Sequence, residues 1–175
     1  MKLLISSFFL RTSILLFGFV FAFNAHAQQD WFVRIIAKDD NQNLVDRGTV
    51  LGEISTSLDS IDSHDLLELE PFGAPYLTVV FKKNQADGEL VEYNSDFRSL
   101  SVSNVRVPKE WQFAVKSDDS NRDVTLTWEG DAPLDQMMMI DTVTGAEIFP
   151  VIAGKVRDYT FNMGGEVERN FIWIY

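Results

Sequence analysis

Three carboxylates recur at intervals of three in one stretch of this chain, at Asp59, Asp62 and Asp65, with His64 beside the last and Glu68 and Glu70 close behind. Oxygens crowded in this way repel one another unless a positive charge lies among them, and a hard cation such as calcium takes about six to eight oxygen ligands. Asp59, Asp62, Asp65 and Glu68 are therefore the candidate calcium ligands. The spacing differs from an EF-hand, which needs ligands at alternate positions and a central Gly, so a solvated acidic loop is the simpler reading. His64 and a carboxylate would also supply two parts of a Ser-His-Asp relay, whose members need not be sequence neighbours. No nucleophile elbow accompanies them. Paired carboxylates for glycoside hydrolysis are equally unspecific, because 26 acidic residues offer many pairs and sequence gives no separation.

Recognition commonly sits on loops at one end of a rigid scaffold. Asp59, Asp62, His64, Asp65 and Tyr76 form the candidate ligand site on that ground, for a protein or a glycan. No catalytic residue is assigned, no cofactor is required, and calcium is the ion that the spacing admits. Two other groups have simpler explanations. Asp39-Asp40-Asn41-Gln42-Asn43 places oxygens at alternate positions, but Leu44 stands where a calcium loop needs Gly, so a hairpin turn is expected. Met137-Met138-Met139 could offer soft ligands to copper(I), yet in a strand only Met137 and Met139 share a face, and core packing explains them better.

Short apolar or alternating runs bounded by Gly, Pro, Asn or Asp must position these groups, and no window of helical length holds a 3.6-residue period. Strands are expected at Trp31 to Lys38, Thr49 to Ser55, Tyr76 to Lys82, Phe97 to Val102 and Trp111 to Lys116. Others follow at Asp123 to Trp128, Gln136 to Asp141, Ala146 to Val151, Arg157 to Met163 and Arg169 to Tyr175. Alternation puts Trp31, Val33 and Ile35 on one face, as it does Trp111, Phe113 and Val115, and Val124, Leu126 and Trp128. Thr125 and Thr127 suit solvent. Strands wet on one face belong to antiparallel sheets, and two such sheets closing on an aromatic core make a sandwich. The connection from Ser57 to Pro75 exceeds the usual loop length of about 12–15 residues. One short helix is expected in it, capped by Ser57 and burying Leu58, Ile61 and Leu66.

Val124-Thr125-Leu126-Thr127-Trp128-Glu129-Gly130, followed by Met139-Ile140-Asp141 and Thr144-Gly145, resembles the second and third strands of fibronectin type III-like domains. Tyr159-Thr160-Phe161 is similar to their aromatic return strand. The order of elements over nearly the whole mature chain resembles a β-sandwich module of exported bacterial proteins. The resemblance implies an immunoglobulin or fibronectin III-like fold and an extracellular context, and it assigns no chemistry, because its motifs are packing positions and turns.

The first 27 residues place the protein. Lys2 and Arg11 precede an apolar run from Ile14 to Phe23 that leads into Ala25-His26-Ala27, the pattern of a cleaved secretory signal peptide. The run is shorter than the ~20 residues of a membrane-spanning helix, so no span is expected after cleavage. Residues 28–175 are then expected to form a single secreted or periplasmic β-sandwich domain. Both basic residues of the leader and none of the 26 acids leave with it, so the remainder carries 13 Lys and Arg and a net charge of −13. Such a surface repels nucleic acid and anionic membranes. With no cysteine, thiol catalysis and cysteine-ligated metal sites are excluded. The alternating Phe171, Trp173 and Tyr175 also resemble the last strand of a small outer-membrane barrel, although Ile172 and Ile174 make the opposite face apolar where a barrel lumen is polar. That barrel and a carboxylate-dependent hydrolase are the alternatives to a binding module.

Overall fold

A computed structural model describes residues 29–39, 41, 43–85, 87–100 and 108–175; the leader, and Ser101 and Val102 of an expected strand, lie outside the described residues. Among these residues the chain is all β, in two large sheets. One runs in the order β12 (Tyr159–Asn162), β7 (Asp123–Gly130), β1 (Trp31–Asp39), β2 (Leu44–Glu53) and β5 (Ser95–Arg98). The other runs β4 (Leu90–Tyr93), β3 (Leu77–Asn84), β6 (Glu110–Ser117), β13 (Glu168–Ile174), β8 (Met138–Asp141) and β9 (Ala146–Ile148). A small hairpin of β10 (Val151–Ile152) and β11 (Lys155–Val156) stands apart, and a single 3-10 turn covers Leu134–Gln136.

The inward faces follow the alternation. Trp31, Val33, Ile35, Trp111, Phe113, Val115, Val124, Leu126 and Trp128 are all buried in one cluster that takes residues from both sheets. Rings interlock across the layers: Trp31 meets Trp111 edge-on at 5.8 Å and Trp128 meets Trp173 at 5.3 Å, while Phe161 lies 5.2 Å from Phe171. Edge-to-face contacts of this kind each add about 0.5–1.5 kcal/mol beyond the burial of apolar area. Met137 and Met139 belong to the same core, and Met137 accepts a hydrogen bond from the Trp173 indole at 3.3 Å. Two open sheets around an apolar interior are not the one closed sheet with a polar lumen that the barrel alternative needs.

β1 is gripped closely on both sides. A Cβ at Gly52 would stand 2.3 Å from the Trp31 carbonyl oxygen, and one at Gly130, where φ is +150°, only 2.1 Å from that of Phe32. Glycine at these two positions lets β2 and β7 approach β1. The β1–β2 turn is the expected hairpin, with Asn43 at φ 56°, and Asp39 is buried against Arg122 at 2.7 Å rather than presented to an ion.

Three details differ from the sequence reading. The five-stranded sheet is not purely antiparallel, because β2 and β5 pair in parallel from Val50↔Ser95 to Glu53↔Arg98. β4 and β5 are separated only by a bend at Asn94, so one extended run leaves the six-stranded sheet and enters the other, the usual device at a sandwich corner. Finally, the helix expected after Ser57 is absent. Leu58 and Leu66 are exposed, and only Ile61 packs against the core.

Candidate functional site

The segment between β2 and β3 takes its shape from side chains bonding backbone. Asp62 is the hub: its carboxylate accepts from the Leu58 N–H at 2.6 Å, the His64 N–H at 2.7 Å, the Ser57 hydroxyl at 2.8 Å and His64 Nδ1 at 3.0 Å. Asp65 turns the other way. Its side chain has 0% exposure and accepts from Lys83 Nζ at 2.9 Å, the Asp62 N–H at 3.0 Å and the Phe97 N–H at 3.3 Å. Asp59, largely exposed, accepts from Ser99 and from Lys109 Nζ at 3.1 Å.

Beneath this loop lies a charge network that sequence reasoning missed. Lys83 bridges Asp65 and buried Asp96, 2.9 Å from each, and Arg98 also reaches Asp96. Lys109 joins Asp59 to fully buried Glu53, 3.1 Å from each, and also donates to the Ser99 carbonyl. Glu53 further accepts from the Trp31 indole at 3.1 Å. Lys83 and Lys109 thus fasten the acidic loop to the ends of β2, β3 and β5. The signal was present in the alternation: Lys83 follows inward-facing Val79 and Phe81, and Glu53 follows inward-facing Leu51. A charge on the core face of a strand implies a buried partner.

The structure therefore keeps Asp59, Asp62, His64 and Asp65 in one loop but gives each carboxylate separate partners. Glu68 turns instead to the Thr78 hydroxyl, and the Tyr76 N–H donates to Asp118 at 2.9 Å. Among the described residues no group of three His, Cys, Asp or Glu side chains could hold a metal ion. Burial of Asp65 also departs from the reading of a wholly solvated loop.

One arrangement has the order of a catalytic relay. Thr56 Oγ1 lies 3.4 Å from His64 Nε2, and His64 Nδ1 lies 3.0 Å from Asp62. Yet the N–H groups of Ser57, Leu58 and His64 are already donated to Ile54 and Asp62, so none of them is left to form an oxyanion hole.

Burial alone would push the Asp62 carboxyl up, but the His64 and Leu58 N–H groups, the Ser57 hydroxyl and the His64 ring together hold it well below the ordinary carboxylate range. Burial would likewise raise the Asp141 carboxyl, but the hydrogen bonds of Arg169 and Tyr159 outweigh it and hold that group low as well. A carboxylate whose folded value is depressed gives stability that is complete above the unfolded value of about 4 and is lost as pH falls through the folded one. The stability contributed by Asp62 and Asp141 should thus stay level from neutrality to about pH 5 and decline below about pH 4. Asp62→Ala should cost about 1–2 kcal/mol at pH 7 by freeing two backbone donors, and should flatten the acid limb. Urea titrations at pH 7 and 3 check this, and an acid limb unchanged in the variant would refute the assignment.

Further along the same connection the surface becomes apolar. Leu66, Leu67, Leu69 and Phe72 are exposed, Phe72 entirely, and exposed Leu90 adjoins them on β4. A groove of about 500 Å³ runs there, between Leu67–Pro71 on one side and Glu89–Glu92 on the other, with Thr78 and Lys116 in its floor. Glu68, Glu70, Glu89 and Glu92 line it. Burial, together with the charges of Asp46 and Glu92, raises the Glu68 carboxyl above its ordinary value.

Compared with known proteins, the chain matches no family model, no curated protein and no solved structure. No helix among the described residues is long and apolar enough to cross a membrane.

Proposed function

We propose that this chain is exported, loses its leader after Ala27, and acts as a non-catalytic β-sandwich that binds a protein partner in the periplasm or at the cell surface. The observation that carries this reading is the row of exposed apolar side chains, Leu66, Leu67, Leu69 and Phe72, on a connection that is otherwise acidic and hydrogen-bonded. Contiguous exposed apolar surface rimmed by polar groups marks an interaction site on a soluble protein. The ion pairs of Lys83 and Lys109 support it further, because a loop already fixed before binding loses little entropy on docking. Aliphatic side chains favour a protein over a glycan.

The fold we infer is of the immunoglobulin or fibronectin III kind. Supporting this are the pairing of β7 with β12 and of β8 with β13, with β1 beside β7, as the B strand lies beside E and A, and C beside F, in that fold. The place of the last strand, beside β13, is taken by β6, which comes before β7 in the chain. The connectivity is thus a variant of the pattern.

The test compares the mature chain with Leu66→Ser/Leu69→Ser/Phe72→Ser as bait for envelope proteins of the source cells. The reading expects a saturable partner that the triple variant loses. Identical partners for both, or full-length precursor recovered from the cytosol, would overturn it. A hydrolase is the second reading, favoured only by Thr56–His64–Asp62, and would show turnover on ester substrates that His64→Ala abolishes.

A further inference from the structure

Gln85 donates its N–H to the Glu89 carbonyl at 2.8 Å, and β3 pairs with β4 through Lys83↔Val91 and Phe81↔Tyr93. In an antiparallel ladder hydrogen-bonded and non-bonded pairs alternate, so Val91 and Tyr93 face β3 while Leu90 and Glu92 turn their N–H and C=O groups outward. The connection already uses part of this edge. The Glu68 N–H donates to the Glu92 carbonyl at 3.0 Å, the Asn94 N–H donates to the Leu66 carbonyl at 2.8 Å, and Leu67 bridges to Tyr93. Leu69 to Pro71 then diverge, and the groove opens where they leave. The N–H and C=O of Leu90 and the N–H of Glu92 remain without a partner among the described residues. Open strand edges of this kind are templates for pairing with another chain.

We propose that the groove receives an extended segment of a partner protein that adds to the edge of β4, with apolar side chains seated between Leu69 and Leu90 and basic side chains facing Glu68, Glu70 and Glu89. This rests on the reading of the chain as a protein-binding module and specifies how it binds. Charge complementarity selects the occupant. Four carboxylates line the groove; among its lining residues the cation is Lys116, which is already bound to both oxygens of Glu92 at 2.8 and 3.0 Å. Burial and the charges of Asp46 and Glu92 raise the Glu68 carboxyl above its ordinary value, and an incoming ammonium or guanidinium group relieves that crowding of negative charge. Main-chain hydrogen bonds supply affinity in strand addition, and alternate side chains supply specificity.

Ten-residue peptides of alternating Lys and Val test this on the full mature chain, against an alternating Glu and Val peptide and a Lys and Val peptide N-methylated on alternate residues. The Lys and Val peptide should bind at least about tenfold more tightly than either control and slow amide exchange at Leu90 and Glu92. Leu90→Pro removes only an outward N–H, is tolerated on an edge strand, and should weaken the peptide by a similar factor with an unchanged circular dichroism spectrum. Binding insensitive to N-methylation, or absent altogether, overturns strand addition. If envelope-partner capture fails in the leucine and phenylalanine triple variant but survives Leu90→Pro, strand addition falls while the binding reading stands. If capture survives both, the binding reading itself falls.

Discussion

Replacing Lys83 with Met should remove about 3–5 kcal/mol of folding stability, because one substitution strips the ammonium group from Asp65, whose side chain is fully buried, and from Asp96, which is nearly so. Asp96 retains Arg98 at 3.3 Å, so the larger share of the loss falls on Asp65. Adding Asp65→Asn should recover part of it. Asparagine leaves no buried charge behind, but Asp65 receives the Asp62 and Phe97 N–H groups on separate oxygens, and the one carbonyl oxygen of an amide accepts from only one of them. Urea unfolding of the single and double variants decides the matter. A loss under about 1 kcal/mol for Lys83→Met would mean that the pair is solvated like an ordinary surface ion pair.

Trp111→Ala should be comparably severe, again about 3–5 kcal/mol, since it empties the centre of the sandwich. Its indole packs on Trp31, donates to the Asp96 carbonyl at 3.0 Å, and carries the Arg98 guanidinium 5.2 Å above its ring. The substitution therefore joins the loss of core to the loss of a buried hydrogen bond. Domains of this kind are stable by only about 5–15 kcal/mol, so the variant should unfold well below the native chain. Trp111→Phe keeps an aromatic ring and most of the apolar contact while it forfeits the hydrogen bond, and should lose less. Equal losses for the two variants in thermal unfolding followed by circular dichroism would show that the indole donor, not the packed volume, carries the effect.

Much of the architecture could be read directly, and the reason is geometric. Where one side of a strand is wet, alternation identifies the buried side, and the three faces built on Trp31, Trp111 and Val124 are buried as expected. β4 escaped notice because Leu90-Val91-Glu92-Tyr93 is short and its outer residues carry no consistent polarity. The parallel partnership of β2 and β5 also leaves no local trace, since it joins segments more than 40 residues apart. The acidic connection was legible as a special segment but not in its internal design. Asp59, Asp62 and Asp65 are equivalent in sequence, yet one is largely exposed, one organises a turn, and one meets a lysine brought from β3. Such differences arise from long-range placement. Lys83 and Glu53 did announce themselves, as charges at core-facing positions of their strands, and that cue is the one to seek in chains of this type.

The middle of the six-stranded layer is β13, flanked by β6 and β8. Phe171 and Trp173, on which rings from the opposite layer close, lie on this strand. Its pairing with β6 joins residues more than 50 apart in the chain, and topologies dominated by distant pairings assemble slowly, in about milliseconds to seconds. Glu168–Ile174 thus joins β4, β3 and β6 to β8 and β9, and the six-stranded layer is complete only once that strand is seated between them.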